Sequence, residues 1–393
     1  MLEVFLAQLL IFAFGMGLFV FCMIQARKFR RSQEQLAGKA EVAKRKDSLK
    51  IVKPAANRLD GNTLIDVLIV GAGPVGLACA IEAKRNGLSH LIIEKGCLTN
   101  SIFRCPINVR FFSTPDRLNI GDIPLIIAEA KPSRQDLLNY YRGVCEHYKL
   151  QIHFDERVEQ VVSCEGVFQV ITTRQNYRAR YVVIATGFFD YPNLLHIDGE
   201  NLPKVSHYYT EPFPFYRRKV AVIGGKSSAV EAALDLYRHG AEVTLIHRGS
   251  EIGQSVKYWL RPDILNRIKE GSIKALFNTS VTRITEDAVF IKNGSDQEER
   301  LKNDYVFAMT GYHPDFDFAK RAGVRIDEAN RQIRYNPETF ETNVPNLYIA
   351  GVVAASKGGE NVFIENGREH VKKVIQHFLE KQKVRMGERV MKS

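Results

Sequence analysis

The chain has 393 residues, 45% of them hydrophobic and 25% charged, with a formal net charge of +11. This is too apolar for a disordered chain and long enough for two α/β domains with cores of their own. The basic excess comes without a helix-turn-helix, finger or aromatic–basic strand pattern, so nucleic acid is not the expected partner; the six cysteines lack paired spacing and no His/Cys cluster has metal-ligand spacing.

Val4 to Ile24 is apolar apart from Gln8. As a helix it would span about 30 Å, the thickness of a hydrocarbon core. Glu3 precedes the run, and Arg27, Lys28, Arg30 and Arg31 follow it. This asymmetry predicts a single-pass membrane anchor with the C-terminal side in the cytoplasm. A cleaved signal peptide would carry its positive charge before the run and a small-residue site after it, and neither is present. Residues 1–26 are thus expected as a transmembrane anchor. Residues 27–61 are expected as a basic juxtamembrane linker, partly helical around Leu36 to Ala43, whose cations would lie against anionic lipid.

Next comes the apolar run Ile65-Asp66-Val67-Leu68-Ile69-Val70, then Gly71-Ala72-Gly73-Pro74-Val75-Gly76. A helix is predicted from Pro74, with Leu77, Ala80, Ile81 and Lys84 on one face and Gly87 closing it. The strand His90-Leu91-Ile92-Ile93 follows and ends in Glu94. Strand, glycine turn, helix and acid-tipped strand form the unit that binds half of a dinucleotide. Gly71, Gly73, Pro74 and Gly76 let a pyrophosphate approach the helix N-terminus, and Glu94 would accept hydrogen bonds from ribose hydroxyls. An acid there favours a ribose without a 2′-phosphate, so FAD or NAD fits.

The pattern recurs in Lys219-Val220-Ala221-Val222-Ile223, then Gly224-Gly225-Lys226-Ser227-Ser228-Ala229 and a helix with Ala229, Ala232, Ala233 and Leu236 on one face. Gly240 ends that helix, and the next strand ends in His247-Arg248. An imidazole and a guanidinium would attract the 2′-phosphate that a carboxylate repels, which points to NADPH. Lys226 replaces the usual second glycine, as a cation beside the pyrophosphate or as a solvent-facing residue. Two such units in one chain imply electron transfer between two dinucleotides.

Between the units lies Tyr181-Val182-Val183-Ile184-Ala185-Thr186-Gly187. After the second come Tyr305-Val306-Phe307-Ala308-Met309-Thr310-Gly311 and Asn346-Leu347-Tyr348-Ile349-Ala350-Gly351. This arrangement resembles the two-dinucleotide flavoproteins of the pyridine nucleotide–disulfide oxidoreductase superfamily. The resemblance implies an α/β fold of two Rossmann-like domains, an FAD domain (62–192 and 312–393) with an NADPH domain (193–311) inserted. Thr186, Gly187, Gly351 and Val352 become flavin neighbours, with Val352 where an aspartate is common and Glu365 as a compensating acid or a helix-start charge.

Glu94-Lys95-Gly96, Asn100-Ser101-Ile102, Phe111-Phe112-Ser113-Thr114, Ser206-His207-Tyr208-Tyr209, Lys257-Tyr258-Trp259-Leu260 and Phe363-Ile364-Glu365-Asn366-Gly367-Arg368 are, together, similar to the bacillithiol-disulfide reductase (YpdA-type) flavoproteins. This adds Lys95 and Ser101 to the cofactor-binding candidates. It implies an FAD enzyme that takes hydride from NADPH and reduces a low-molecular-weight thiol disulfide, possible as a homo-oligomer. That family has a cysteine directly after Gly-Pro, where this chain has Val75. Cys79, four residues on, is a displaced thiol or a small buried apolar residue. His207 is a proton donor or a structural histidine between domains. Val205–Thr210 contains no cysteine, so a dithiol relay of the thioredoxin-reductase type is not expected; Cys97 and Cys105 stand at the superfamily's other, flavin-facing position for a redox pair but are too far apart for one helical face. The alternatives are an NADPH reductase for a ferredoxin-like carrier or a quinone, a flavin monooxygenase, and a non-enzymatic dinucleotide sensor.

Overall fold

The computed structural model describes residues 63–294, 297–355 and 362–390. The expected anchor and linker lie outside these residues. Among the described residues no helix is long and apolar enough to cross a membrane.

The first sheet is built on β1 (Leu64–Val70), flanked in parallel by β2 (His90–Ile93) and β6 (Asn176–Ile184). β3 (Ile152–His153) extends it beyond β2, while β4 (Val158–Cys164) and β5 (Val167–Thr172) add antiparallel strands beyond β6. The late strand Leu347–Ile349 returns to lie parallel on the C-terminal half of β6. β1 reads as a continuous apolar run because both of its faces are covered, and Val67, Leu68 and Ile69 are wholly buried.

Helix α1 (Pro74–Arg85) starts with proline at its first turn, where no backbone N–H is needed. It is buried from Val75 to Ala83 apart from Glu82. This corrects the one-face reading: α1 also packs against the long C-terminal helix, whose Val371, Val374, Ile375 and Phe378 share its core. Lys84, expected on the inner face, is exposed, and its Nζ donates to the Tyr148 carbonyl at 2.6 Å.

The chain leaves this sheet through β7 (Tyr191–Pro192) and returns through β16 (Tyr312–His313), which pair antiparallel as a two-stranded crossover. Between them lies a second, wholly parallel sheet. β9 (Lys219–Ile223) sits between β10 (Glu242–Ile246) and β15 (Tyr305–Ala308), with β11 (Lys274–Leu276) and β8 (Val205–Ser206) at the edges. Helix α2 (Ser227–Arg238) covers it, and Ala229, Ala232, Ala233 and Leu236 are all buried there. A three-stranded antiparallel sheet, β12 (Ser280–Ile284) to β14 (Glu299–Lys302), is appended.

Candidate functional site

A cavity of about 560 Å³ opens at the C-terminal ends of β1, β2 and β6, the place where a doubly wound sheet takes its ligands. Gly71, Gly73, Pro74, Glu94, Lys95, Ser101, Thr186, Gly187, Gly351 and Val352 all line it, and so does Val75. Distant parts of the chain thus converge on one cleft.

Local geometry explains the glycines. Gly71 has φ +110°, and a Cβ there would lie 2.7 Å from the Ala185 carbonyl oxygen. At Gly76 a Cβ would lie 2.0 Å from the Gly71 oxygen, so helix and turn close on each other only without a side chain. Gly73 has nothing within 4 Å of that position and faces open space, as a phosphate cradle requires.

Glu94 is buried, and its two oxygens accept from the backbone N–H groups of Ala72 (2.7 Å) and Gly96 (2.8 Å). Burial pushes its carboxyl upward; the two N–H bonds and Lys95 oppose this. The carboxylate therefore braces the glycine turn, and its remaining lone pairs are what a ribose could use. Lys95 pairs with Asp190 Oδ2 at 2.8 Å, and Arg104 takes the other oxygen at 2.7 Å. Sequence reasoning missed Asp190 and Arg104, because their partners lie tens of residues away.

Thr186 and Gly187 follow β6, and Gly187 (φ +69°) sits close to Val352. Gly351 (φ +79°) starts a short 3-10 turn and donates its N–H to His370 Nδ1 at 3.3 Å. Glu365, at the start of the C-terminal helix, accepts from the Ser113 hydroxyl at 2.8 Å and is not part of the cavity wall.

The two catalytic candidates lie away from this cleft. Cys79 is wholly buried in the core between sheet and helix, and burial pushes its thiol up to about 12. A thiol so buried and so hard to ionise suits the small buried apolar reading of Cys79 rather than a displaced redox group. His207 is held in the second sheet: Nδ1 is 3.1 Å from the Ala308 carbonyl oxygen and Nε2 is 3.2 Å from Glu200 Oε1. It does not line the cavity. Cys105 does line it, with Sγ donating to the Ser101 carbonyl at 3.3 Å and a thiol raised to about 11 by burial.

The second glycine turn is built like the first. Gly224 has φ +142°, and a Cβ there would meet the Met309 oxygen at 2.7 Å. At Gly225 it would meet the His247 ring at 2.5 Å, so the imidazole covers the turn. Burial and Arg248 both push the His247 imidazole below its ordinary value. Lys226, Ser228 and Arg248 are exposed around the start of α2, and no described carboxylate pairs with either cation. Ser227 and Ala229 begin the helix, with Ser227 half-buried and Ala229 in its core. The residues present therefore fit a phosphate-bearing dinucleotide at each turn: an open Gly73 and braced acid at one, unpaired cations at a helix start at the other.

Residues 68–351 match the family model for pyridine nucleotide-disulphide oxidoreductase. The chain belongs to that family. Within this oxidoreductase family it is 42% identical to bacilliredoxin reductase Bdr of Bacillus subtilis (strain 168) over 304 residues, 77% of this chain and 94% of that protein. The solved bacillithiol disulfide reductase Bdr (YpdA) from Staphylococcus aureus superposes with a TM-score of 0.79 at 42% identity, covering 81% of this chain and 99% of that one. A ferredoxin–NADP reductase of Lactococcus lactis subsp. cremoris (strain MG1363) is 32% identical over 298 residues, 73% of this chain and 85% of that protein. The likeness to YpdA-type flavoproteins read from the sequence is borne out, as is the reading of an NADPH-dependent flavoprotein oxidoreductase with FAD and NADPH as cofactors.

Proposed function

We propose that this oxidoreductase reduces a low-molecular-weight thiol disulfide such as bacillithiol disulfide, drawing electrons from NADPH. The observation that carries the reading is the pairing of two intact dinucleotide turns with a 42% likeness that runs through nearly the full length of the B. subtilis reductase. When bound, NADPH supplies a hydride and FAD accepts it and passes electrons onward. The chain's own residues bind and orient. Gly71, Gly73 and the start of α1 offer backbone N–H groups to one pyrophosphate, and Glu94 stiffens that turn while facing a ribose. Arg248 and Lys226 present charge to the other dinucleotide, while Val75, Ile102, Phe111 and Val352 give the first cavity an apolar wall.

One second reading has its own support. Val75 supplies no thiol at the first turn, and the ferredoxin–NADP reductase likeness offers an acceptor that needs none. Anaerobic NADPH oxidation by the purified yellow protein separates the two. Turnover with bacillithiol disulfide supports the first reading. Turnover only with a ferredoxin-type carrier replaces it. Material that is colourless and binds neither coenzyme ends both.

We also propose that Val4 to Ile24 anchors the enzyme in a membrane with its catalytic part cytoplasmic, on the strength of its apolar length and the cations that follow. The full chain should sediment with membranes and resist alkaline extraction, and deletion of residues 1–26 should release it. Extraction of the full chain by alkali alone would refute the anchor.

A further inference from the structure

Lys257 joins two domains through two different groups. Its backbone N–H donates to Ser227 Oγ at 3.2 Å, and Gly253 N–H donates to the Gly225 carbonyl at 3.1 Å. Residues 253–257 are thus fastened to the second glycine turn at two points. The side chain keeps one partner within that domain, Glu231 of α2, and reaches the other domain with its second bond. Nζ donates to the Arg110 carbonyl at 2.8 Å and to Glu231 Oε2 at 3.0 Å, and only 12% of the Lys257 side chain is exposed. Two residues on, Trp259 stacks on Phe112, with ring centroids 5.9 Å apart and planes 17° apart. The Lys131 and Lys257 ammonium groups lie 5.6 and 5.7 Å from the Trp259 ring.

The far end of this contact is the wall of the first cavity. Phe111 lies between Arg110 and Phe112, lines the cavity, and is fixed by its N–H to the Pro132 carbonyl at 2.9 Å. The near end is a group that a ligand would claim. Ser227 is the first residue of α2, and its hydroxyl reaches the Ser255 carbonyl at 3.5 Å while accepting from Lys257 N–H. A phosphate oxygen at the helix start offers that hydroxyl a stronger acceptor than a distant carbonyl. Rotation of the whole Ser227 side chain to bring Oγ onto the phosphate would take the oxygen off the Lys257 N–H. Glu231, whose carboxyl is pushed up by burial and held down by Lys257, makes the buried ammonium sensitive to any such shift.

Resting on the assignment of the second turn to NADPH, we propose that Lys257 is a positioning residue that couples occupancy of that turn to the wall of the flavin cavity. Nucleotide phosphate at Ser227 loosens residues 253–257 and withdraws Lys257 and Trp259 from Arg110 and Phe112. Because the clasp must be broken for tight binding, removing it favours the nucleotide.

Trp259 is the sole tryptophan of the chain, so its emission reads the stack on Phe112. The test titrates the flavin-loaded full-length protein with NADP+, which binds without delivering hydride, and measures occupancy in parallel by equilibrium dialysis. Emission is expected to shift to the red with the same midpoint as binding. Lys257→Met should start red-shifted, respond little, and bind NADP+ severalfold more tightly, while Lys257→Arg keeps the response. Should Lys257→Met fail to fold, Phe112→Leu serves, since it removes the stack from the other domain and should abolish the response. Saturation by dialysis with unmoved emission, or a Lys257→Met or Phe112→Leu response equal to wild type, would overturn the coupling alone. Absence of NADP+ binding would overturn the assignment of the second turn and the coupling with it.

Discussion

Gly351 and Val75 are fitted to each other: a Cβ on Gly351 would lie 2.9 Å from Val75 Cγ2. Gly367 closes the same junction, with its Cβ position 3.2 Å from that methyl group. The valine therefore plugs the meeting point of the first turn, the end of the last strand and the start of the C-terminal helix. It does so at the position where the YpdA-type resemblance led a thiol to be expected, and a valine offers none.

Substituting Gly351→Ala should cost about 2–4 kcal/mol, combining an unfavourable backbone angle with overpacking against Val75. Urea unfolding midpoints check the stability, and the ratio of flavin absorbance to protein absorbance should fall with it. An alanine variant of wild-type stability and full flavin content would show that this junction is looser than its geometry.

The cysteines should divide sharply by accessibility. Cys97 and Cys164 are exposed and should react with a thiol reagent in the native state; Cys79 should react only on unfolding, given its full burial and a thiol near 12. Cys79→Ala should leave turnover within about twofold, because no transition-state contact is removed. A large loss of kcat without loss of stability would restore Cys79 to the mechanism.

Arg248 is the exposed guanidinium that follows the second strand of the second unit, where a 2′-phosphate would lie. Loss of a charge-assisted hydrogen bond of about 1.5–3 kcal/mol should lower the NADPH preference of Arg248→Ala by roughly 10-fold or more. The measurement is kcat/KM for NADPH and NADH in parallel, and an unchanged ratio would move the 2′-phosphate elsewhere. Gly225→Ala should displace the His247 ring and weaken NADP+ binding without reducing FAD content, because only the second turn is touched.

What could be read in the sequence was local. The glycine turns were legible because backbone at φ +110° and +142°, pressed against carbonyl oxygens, leaves no other residue a place. Glu94 was legible because the turn, the helix and the second strand have fixed lengths. Its first bonds, to Ala72 and Gly96, were not. Contacts made across long separations left no local trace: Asp190 between Lys95 and Arg104, Lys257 on Arg110. That the His247 ring lies over Gly225 was not legible either, because a strand-end position says nothing about which side chain covers the glycine.

His370 gives the fold a pH dependence with a definite sign. Its Nδ1 accepts the Gly351 N–H, its ring stacks on Phe340 at 4.0 Å, and burial followed by Lys373 lowers it from 6.5 to about 4. The folded chain thus resists a proton that the unfolded chain accepts. The contribution is fully present above pH 6.5 and is lost as pH falls from there through about 4. Allowing for solvent screening of a partly exposed ring, the loss is about 1–2 kcal/mol. The Gly351 segment should loosen with it, and flavin should be released over the same range. His370→Gln keeps an acceptor but cannot titrate there, so its stability should fall less between pH 7 and 4. Denaturation midpoints of both proteins across that range cancel the carboxylates they share. Parallel curves would remove His370 as the source.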